Sequence, residues 1–266
     1  MEPVPDPRLV AAVASRIDAA LAASGALLVV GICGAQGSGK STLAAHLAGQ
    51  LADRGLRVAT LSLDDLYQTR AERMRLAAQV HPLLATRGVP GTHDVALGLA
   101  TLDALARGEP APLPRFDKAA DDRVPADAWP LAPAGTQVLL LEGWCLGARP
   151  QADVSDPVNA FEAAEDPNAV WRSYANTALA GDYQQLFARI DLLVLLAAPG
   201  WDIVAQWREQ QEAELRAGGG ARVMSPAEVT RFIQHYERLT RWILEEMPTR
   251  ADLTVRLGEN REVLSL

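Results

Sequence analysis

Hydrophobic positions in the first quarter of the chain follow two periods in turn. Leu9, Val13, Ile17 and Leu21 recur every fourth residue and stop at Gly25, which predicts an amphipathic helix over residues 8–24 closed by glycine. An unbroken apolar run over 26–33 then reads as a strand covered on both faces. Leu43, Leu47 and Leu51 predict a helix over 40–53 ending at Gly55, and 56–63 is strand-like again. Strand, glycine loop, helix and strand in that order imply a parallel sheet with a right-handed crossover.

Beyond residue 64 the pattern loosens. Helices near 69–79 and 94–107 flank Pro- and Gly-rich loops at 81–93 and 108–133, and loops of that length inside a compact domain are usually functional or mobile. Apolar runs at 138–141 and 190–197 predict two more buried strands, and a last strand is expected near 251–257. Residues 150–189 are polar and helical only in part, without legible boundaries. A helix over 201–216 is broken by Gly218, Gly219 and Gly220. Ser225, Pro226, Ala227 and Glu228 then form a capping box with proline at the first helical position, starting a helix that runs to about Glu246. No repeat or linker divides the chain. The expectation is one α/β domain over 1–266, with a central parallel sheet of about five strands, helices on both faces and a lid at about 200–224.

Composition narrows the partners. Twenty-five basic residues against 33 acidic ones leave a net charge of −8, which argues against non-specific nucleic-acid or anionic-membrane binding. Positive charge that serves an anion must therefore be local. No apolar run approaches the roughly 18 residues of a membrane span, and the N-terminal residues lack the basic and apolar regions of a signal peptide. Cys33 and Cys145 both sit in apolar stretches, so a cytoplasmic protein with reduced thiols is expected. Of the basic residues 23 are arginine and only two, Lys40 and Lys118, are lysine.

Lys40 falls in the one sharply defined motif. Gly34, Ala35, Gln36, Gly37, Ser38, Gly39, Lys40 and Ser41 match the phosphate-loop pattern, followed by Thr42 at the start of the predicted helix. Glycines let successive N–H groups turn inward around an oxyanion, and the helix behind them aims its positive dipole end at it. Lys40 would reach the terminal phosphates and Ser41 would bind Mg²⁺. The glycine spacing of a dinucleotide site is absent.

In an open parallel sheet, ligands bind at the carboxyl ends of the strands. The second strand exits into Asp64 and Asp65, where a carboxylate could take the proton of an attacking hydroxyl or, on the plainer reading, cap a helix. The run at 138–141 exits into Glu142, placed to organise the Mg²⁺ shell. Which of Asp64, Asp65 and Glu142 touches the metal stays open. Neither lysine belongs to the Asn-Lys-x-Asp motif of a guanine reader, which favours ATP.

Taken together, the phosphate loop, residues 62–67, 87–94, 114–118 and 142–144, and Trp207 to Glu212 resemble the phosphoribulokinase and uridine kinase group of P-loop small-molecule kinases, closest to its D-glycerate 3-kinase-like branch. The resemblance implies ATP- and Mg²⁺-dependent phosphorylation of a small hydroxylated, anionic metabolite, with D-glycerate the first choice. Pantothenate, uridine or a pentose phosphate stay open as acceptors, as does a regulator that binds ATP without transfer. It implies a general base at Asp64 and a metal site shared by Ser41, Asp64 and Glu142. The acceptor pocket would hold Asp65, Tyr67, Arg87, His93, Asp94, Arg115, Lys118 and Arg123. Arg208, Arg216 and Arg222 would close over the phosphates as a lid. Leu66 stands where the family usually has an aromatic residue, and the polar stretch 150–185 looks enlarged.

Overall fold

The computed structural model describes residues 4–23, 25–217 and 224–266. Among these, six strands form one sheet: β1 (Leu28–Gly34), β2 (Val58–Ser62), β3 (Val138–Gly143), β4 (Leu192–Ala197), β5 (Leu253–Leu257) and β6 (Val263–Ser265). Their order is β6-β5-β4-β1-β3-β2, and β1 to β5 run parallel. The sixth strand, beyond the five expected, is a three-residue antiparallel edge on β5. It escapes a hydrophobicity pattern because only Val263 points inward, with Leu264 and Ser265 exposed.

Every residue of β1 and β4 is buried, so layers cover both faces of the sheet. The covering helices are α1 (Pro7–Ala23), α2 (Lys40–Asp53), α3 (Arg70–Gln79), α4 (Val95–Ala106), α5 (Ala160–Glu165), α6 (Val170–Ala180), α7 (Asp182–Phe187), α8 (Trp201–Ala217) and α9 (Pro226–Glu246). The four-residue period of α1 buries Leu9, Val13 and Ile17 as the pattern requires. The helix α9 opens on the expected box: Ser225 Oγ accepts from the Glu228 amide at 3.3 Å, and the Glu228 carboxylate accepts from the Ser225 amide at 2.8 Å. Among the described residues no helix is long and apolar enough to cross a membrane.

The stretch 150–189 contains α5 to α7, and part of its polarity is internal. Glu162, Asp166 and Arg172 are buried, and each is satisfied by partners. Arg172 donates to Val154 O at 2.7 Å and to Asp166 Oδ2 at 3.0 Å. Glu162 receives Arg238 of α9 at 2.9 and 2.6 Å and the Val158 amide at 3.0 Å. Buried charges interrupt the apolar positions, and α5 and α7 are six residues each, too short to show a period.

Removing one member of such a pair strands the other charge. Glu162→Ala is expected to lower the unfolding free energy by about 3 kcal/mol in urea titrations, and adding Arg238→Met is expected to recover most of the loss. Equal stability of the wild type and Glu162→Ala would show that the pair contributes nothing net.

Candidate active site

Strand β1 delivers the phosphate loop and α2 begins at Lys40. Gly37 and Gly39 have φ of 79° and 89°, the left-handed region that favours glycine. A Cβ at Gly34 would stand 2.6 Å from Ser38 Oγ, and one at Gly37 would stand 2.8 Å from Trp207 Cβ on α8. Lys40 Nζ lies 3.5 Å from the Ala35 carbonyl, over the loop. Ser38 Oγ and Gln36 Oε1 are buried without a protein partner. Beside the loop opens a cavity of about 330 Å³ whose walls include Gly37, Ser38, Gly39, Thr42, Gln211, Leu257 and Arg261. A glycine cradle with unpaired polar atoms next to such a space fits a nucleotide.

The neighbouring strands end level with it. Ser62 of β2 and Ile32 of β1 both pair with Glu142 of β3. Ser41 Oγ donates to Glu142 Oε1 at 3.0 Å, and a second cavity of about 200 Å³ is lined by Ser41, Thr60, Ser62, Asp65, Arg115 and Glu142. These hard oxygen donors suit Mg²⁺, which keeps several waters and needs few protein ligands. Among the described residues no cluster of three or more His, Cys, Asp or Glu forms a metal cage.

Asp64 and Asp65 are differentiated by what they face. The helix-capping role expected of one of them is filled by Ser62, whose Oγ accepts from the Asp64 amide at 3.2 Å. Asp64 accepts from Tyr67 Oη at 2.9 Å and from Lys118 Nζ at 2.7 Å, so both its oxygens are engaged away from the Ser41–Glu142 pair. Burial pushes its carboxyl up, but Lys118 first, then Lys40 and His93, override this and hold it at about 2. Asp65 instead accepts from the Phe116 amide at 3.1 Å and pairs with Arg115 at 3.4 Å; burial raises its carboxyl. Of the two, Asp65 shares a wall with Ser41 and Glu142. Leu66 is fully buried against Gly98 of α4, where a Cβ would meet its methyl at 2.7 Å.

Lys118 reaches Asp64 from the tip of a short hairpin, Phe116–Asp117 paired with Asp122–Arg123. Asp121 at that tip holds Arg87, and it pairs with Arg73 at 3.0 Å. Arg73 is 1% exposed and also donates to Gln68 O, Ala85 O and Asp121 O, tying three loops together. Arg123 donates to Tyr67 O at 2.9 Å and pairs at 3.1 Å with Asp94, which caps α4 through the Leu97 amide. Arg87, Arg115, Arg123 and Lys118 are thus each matched to a carboxylate. His93 stacks on Tyr67 with centroids 4.4 Å apart. Tyr236 of α9 donates to Arg87 O at 3.2 Å and meets Trp144 edge-on. Arg208 pairs with Glu212 and lies over the Phe232 ring. The side chain of Arg216 and all of Arg222 lie outside the described residues.

Arg73, Asp121, Tyr183, Tyr236 and Arg261 carry no motif, and the sequence alone did not mark them. Arg261 sits at the β5–β6 turn with φ of 66°. Its Nε donates to Gly37 O at 2.6 Å, its Nη1 to Gln210 at 3.0 Å, and its guanidinium covers the Trp207 ring at 5.1 Å. Trp207 in turn donates to Glu259 O at 2.6 Å. The C-terminal hairpin, the phosphate loop and α8 are thereby locked together, a link that spans the chain and leaves no local pattern.

Sheet order, phosphate loop and strand-end acids define a P-loop kinase. Over 220 residues the chain is 38% identical to "uncharacterized kinase mug58" of Schizosaccharomyces pombe, covering 78% of each protein. It is 33% identical over 219 residues to the chloroplastic D-glycerate 3-kinase of Arabidopsis thaliana, covering 79% of this chain and 46% of that protein. The structure of D-glycerate 3-kinase from Cryptococcus neoformans superposes with a TM-score of 0.77 at 26% identity, over 98% of this chain and 99% of that one. A family model described as methylmalonyl Co-A mutase-associated GTPase MeaB matches residues 6–71, a stretch that contains the phosphate loop and stops short of Glu142. The chain belongs to the P-loop kinase family of mug58 and the D-glycerate 3-kinases, and is a nucleotide-using phosphotransferase that acts on a small molecule.

Arg261→Ala removes a charged hydrogen bond to the loop carbonyl, an interaction of about 1.5–3 kcal/mol. Steady-state kinetics are expected to show the nucleotide KM raised roughly tenfold or more, with the acceptor KM unchanged. Equal shifts in both constants would contradict a role confined to the loop.

Proposed function

We propose that this protein transfers the γ-phosphoryl group of ATP to the 3-hydroxyl of D-glycerate. The observation that carries the reading is Asp64: a half-buried carboxylate, kept ionised by Lys118, two residues beyond the point where β2 ends level with the phosphate loop and Glu142. The names of two relatives, both D-glycerate 3-kinases, supply the acceptor.

Asp64 takes the proton of the attacking hydroxyl, while Tyr67 fixes its other oxygen. Lys40 and the loop amides hold the β- and γ-phosphates. Ser41 and Glu142, with Asp65 beside them, would hold Mg²⁺, which neutralises charge on the phosphates when bound. Lys118 and Arg87 supply positive charge for the acceptor's carboxylate, each released from Asp64 and Asp121 to meet it. Arg208 of α8, held by Glu212 and the Phe232 ring, would have to leave them to reach the phosphates. A reducing, cytoplasmic setting suits the two buried, unpaired thiols.

An ADP-release screen against glycerate, pantothenate, uridine and pentose phosphates is expected to give the highest turnover with D-glycerate. In Asp64→Asn kcat falls by about 10²–10⁴ while ATP still binds. Turnover with a nucleoside alone would refute the glycerate assignment, and no acceptor-dependent turnover would favour an ATP-binding regulator.

The pH dependence follows from the ion pair. Asp64 stays charged down to about 2, so kcat/KM for the acceptor gains no acidic limb from it above about pH 4. In Lys118→Met the strongest interaction that opposes burial is removed, and the limb is expected to move up by roughly 1–3 in pH. An unmoved limb would show that Asp64 is not the group that titrates.

A further inference from the structure

His93 has a buried ring with two edges in different surroundings. It is 4% exposed and stacked against Tyr67, the residue that donates to Asp64. One edge, Nδ1, lies 2.6 Å from the hydroxyl of Tyr183 on α7. The other, Nε2, is buried and has no hydrogen-bond partner. A buried donor or acceptor left unpaired costs about 1–3 kcal/mol, so an unpaired atom beside the proposed base calls for an explanation.

The Tyr183 hydroxyl settles where the ring proton sits. Its oxygen accepts from the Gly91 amide at 2.9 Å, and the His93 amide also faces it. Tyr183 is 2% exposed, so its own proton has no water to go to. The short contact to Nδ1 is where that proton goes, and Nδ1 therefore presents a lone pair. Burial holds the imidazole near 4, against the pull of Asp64, so the ring is neutral. A neutral imidazole that accepts at Nδ1 carries its proton at Nε2.

We propose that Tyr183 is a positioning residue that fixes His93 as a neutral Nε2–H donor to an oxygen of the acceptor other than the reacting hydroxyl. The proposal rests on the reading that Asp64 marks the acceptor site. It requires the substrate to offer a hydrogen-bond-accepting oxygen, a second hydroxyl or a carboxylate, beside the hydroxyl that is phosphorylated. A neutral donor suits this place because an imidazolium would compete with Lys118 for Asp64. Tyr183 reaches the loop containing Gly91 and His93 from α7, within the polar stretch 150–185.

The test combines a spectroscopic and a kinetic readout. In ¹⁵N NMR of the wild-type protein, the His93 ring is expected to show a protonated Nε2 and a bare Nδ1, and titration with glycerate is expected to shift the Nε2 resonance. In Tyr183→Phe the tautomer preference is lost, and the acceptor KM rises roughly tenfold with the ATP KM unchanged. His93→Gln, whose amide nitrogen can stand in for Nε2–H, retains an acceptor KM within a few-fold of wild type, whereas His93→Phe does not. A proton on Nδ1 in the wild type, or an unchanged acceptor KM in Tyr183→Phe, would overturn the proposal. The tautomer is read without any substrate, so failure of the glycerate assignment in the ADP-release screen is distinguishable from failure here.

Discussion

The site depends on three strand ends lying level. Glu142 is the register partner of both Ile32 and Ser62, so the phosphate loop, the Asp64–Asp65 pair and Glu142 leave the sheet side by side at its carboxyl edge. A parallel sheet fixes that alignment through backbone hydrogen bonds, before any side chain contributes. Because β3 stands between β1 and β2, Glu142 rises between the loop and the acids and meets Ser41 directly. Covering layers on both faces leave this edge as the place where polar groups can converge without being sealed in.

Convergence brings like charges together, and the surrounding loops answer it with cations. Asp64 has Lys118, Asp65 has Arg115, Asp94 has Arg123, and Asp121 stands between Arg73 and Arg87. The guanidinium groups act as braces: planar forks that satisfy a carboxylate and one or more backbone carbonyls at once, as Arg73 and Arg123 do. The two lysines stand apart from this pattern. Lys40 and Lys118 are compact point charges on flexible stems, one over the phosphate loop and the other on Asp64. In a chain with 23 arginines, both lysines stand at the candidate site.

Much of this was legible in the sequence where one physical signal dominates. Buried strands announced themselves as apolar runs, α1 and α2 by period, α9 by its capping box, and the phosphate loop by glycine spacing. Residues 150–189 were opaque because α5 and α7 are too short to show a period and buried charges interrupt the apolar positions between them. The edge strand β6 was too short and too exposed to register. In the site, the strand-exit acids could be picked out by position, but nothing local distinguishes Asp64 from Asp65; Lys118 and the Phe116 amide do so, from more than 50 residues away. Arg261 and Tyr183 act across still longer separations, through a carbonyl and a ring nitrogen, and such contacts leave no periodic trace.

The most direct test of phosphoryl transfer to a small carboxylate is to observe the product. After incubation of the wild-type chain with ATP, Mg²⁺ and D-glycerate, proton-coupled ³¹P NMR is predicted to show a phosphomonoester split by two methylene protons, as the 3-ester requires. Release of inorganic phosphate at the same rate with and without glycerate, and no ester, would contradict the account.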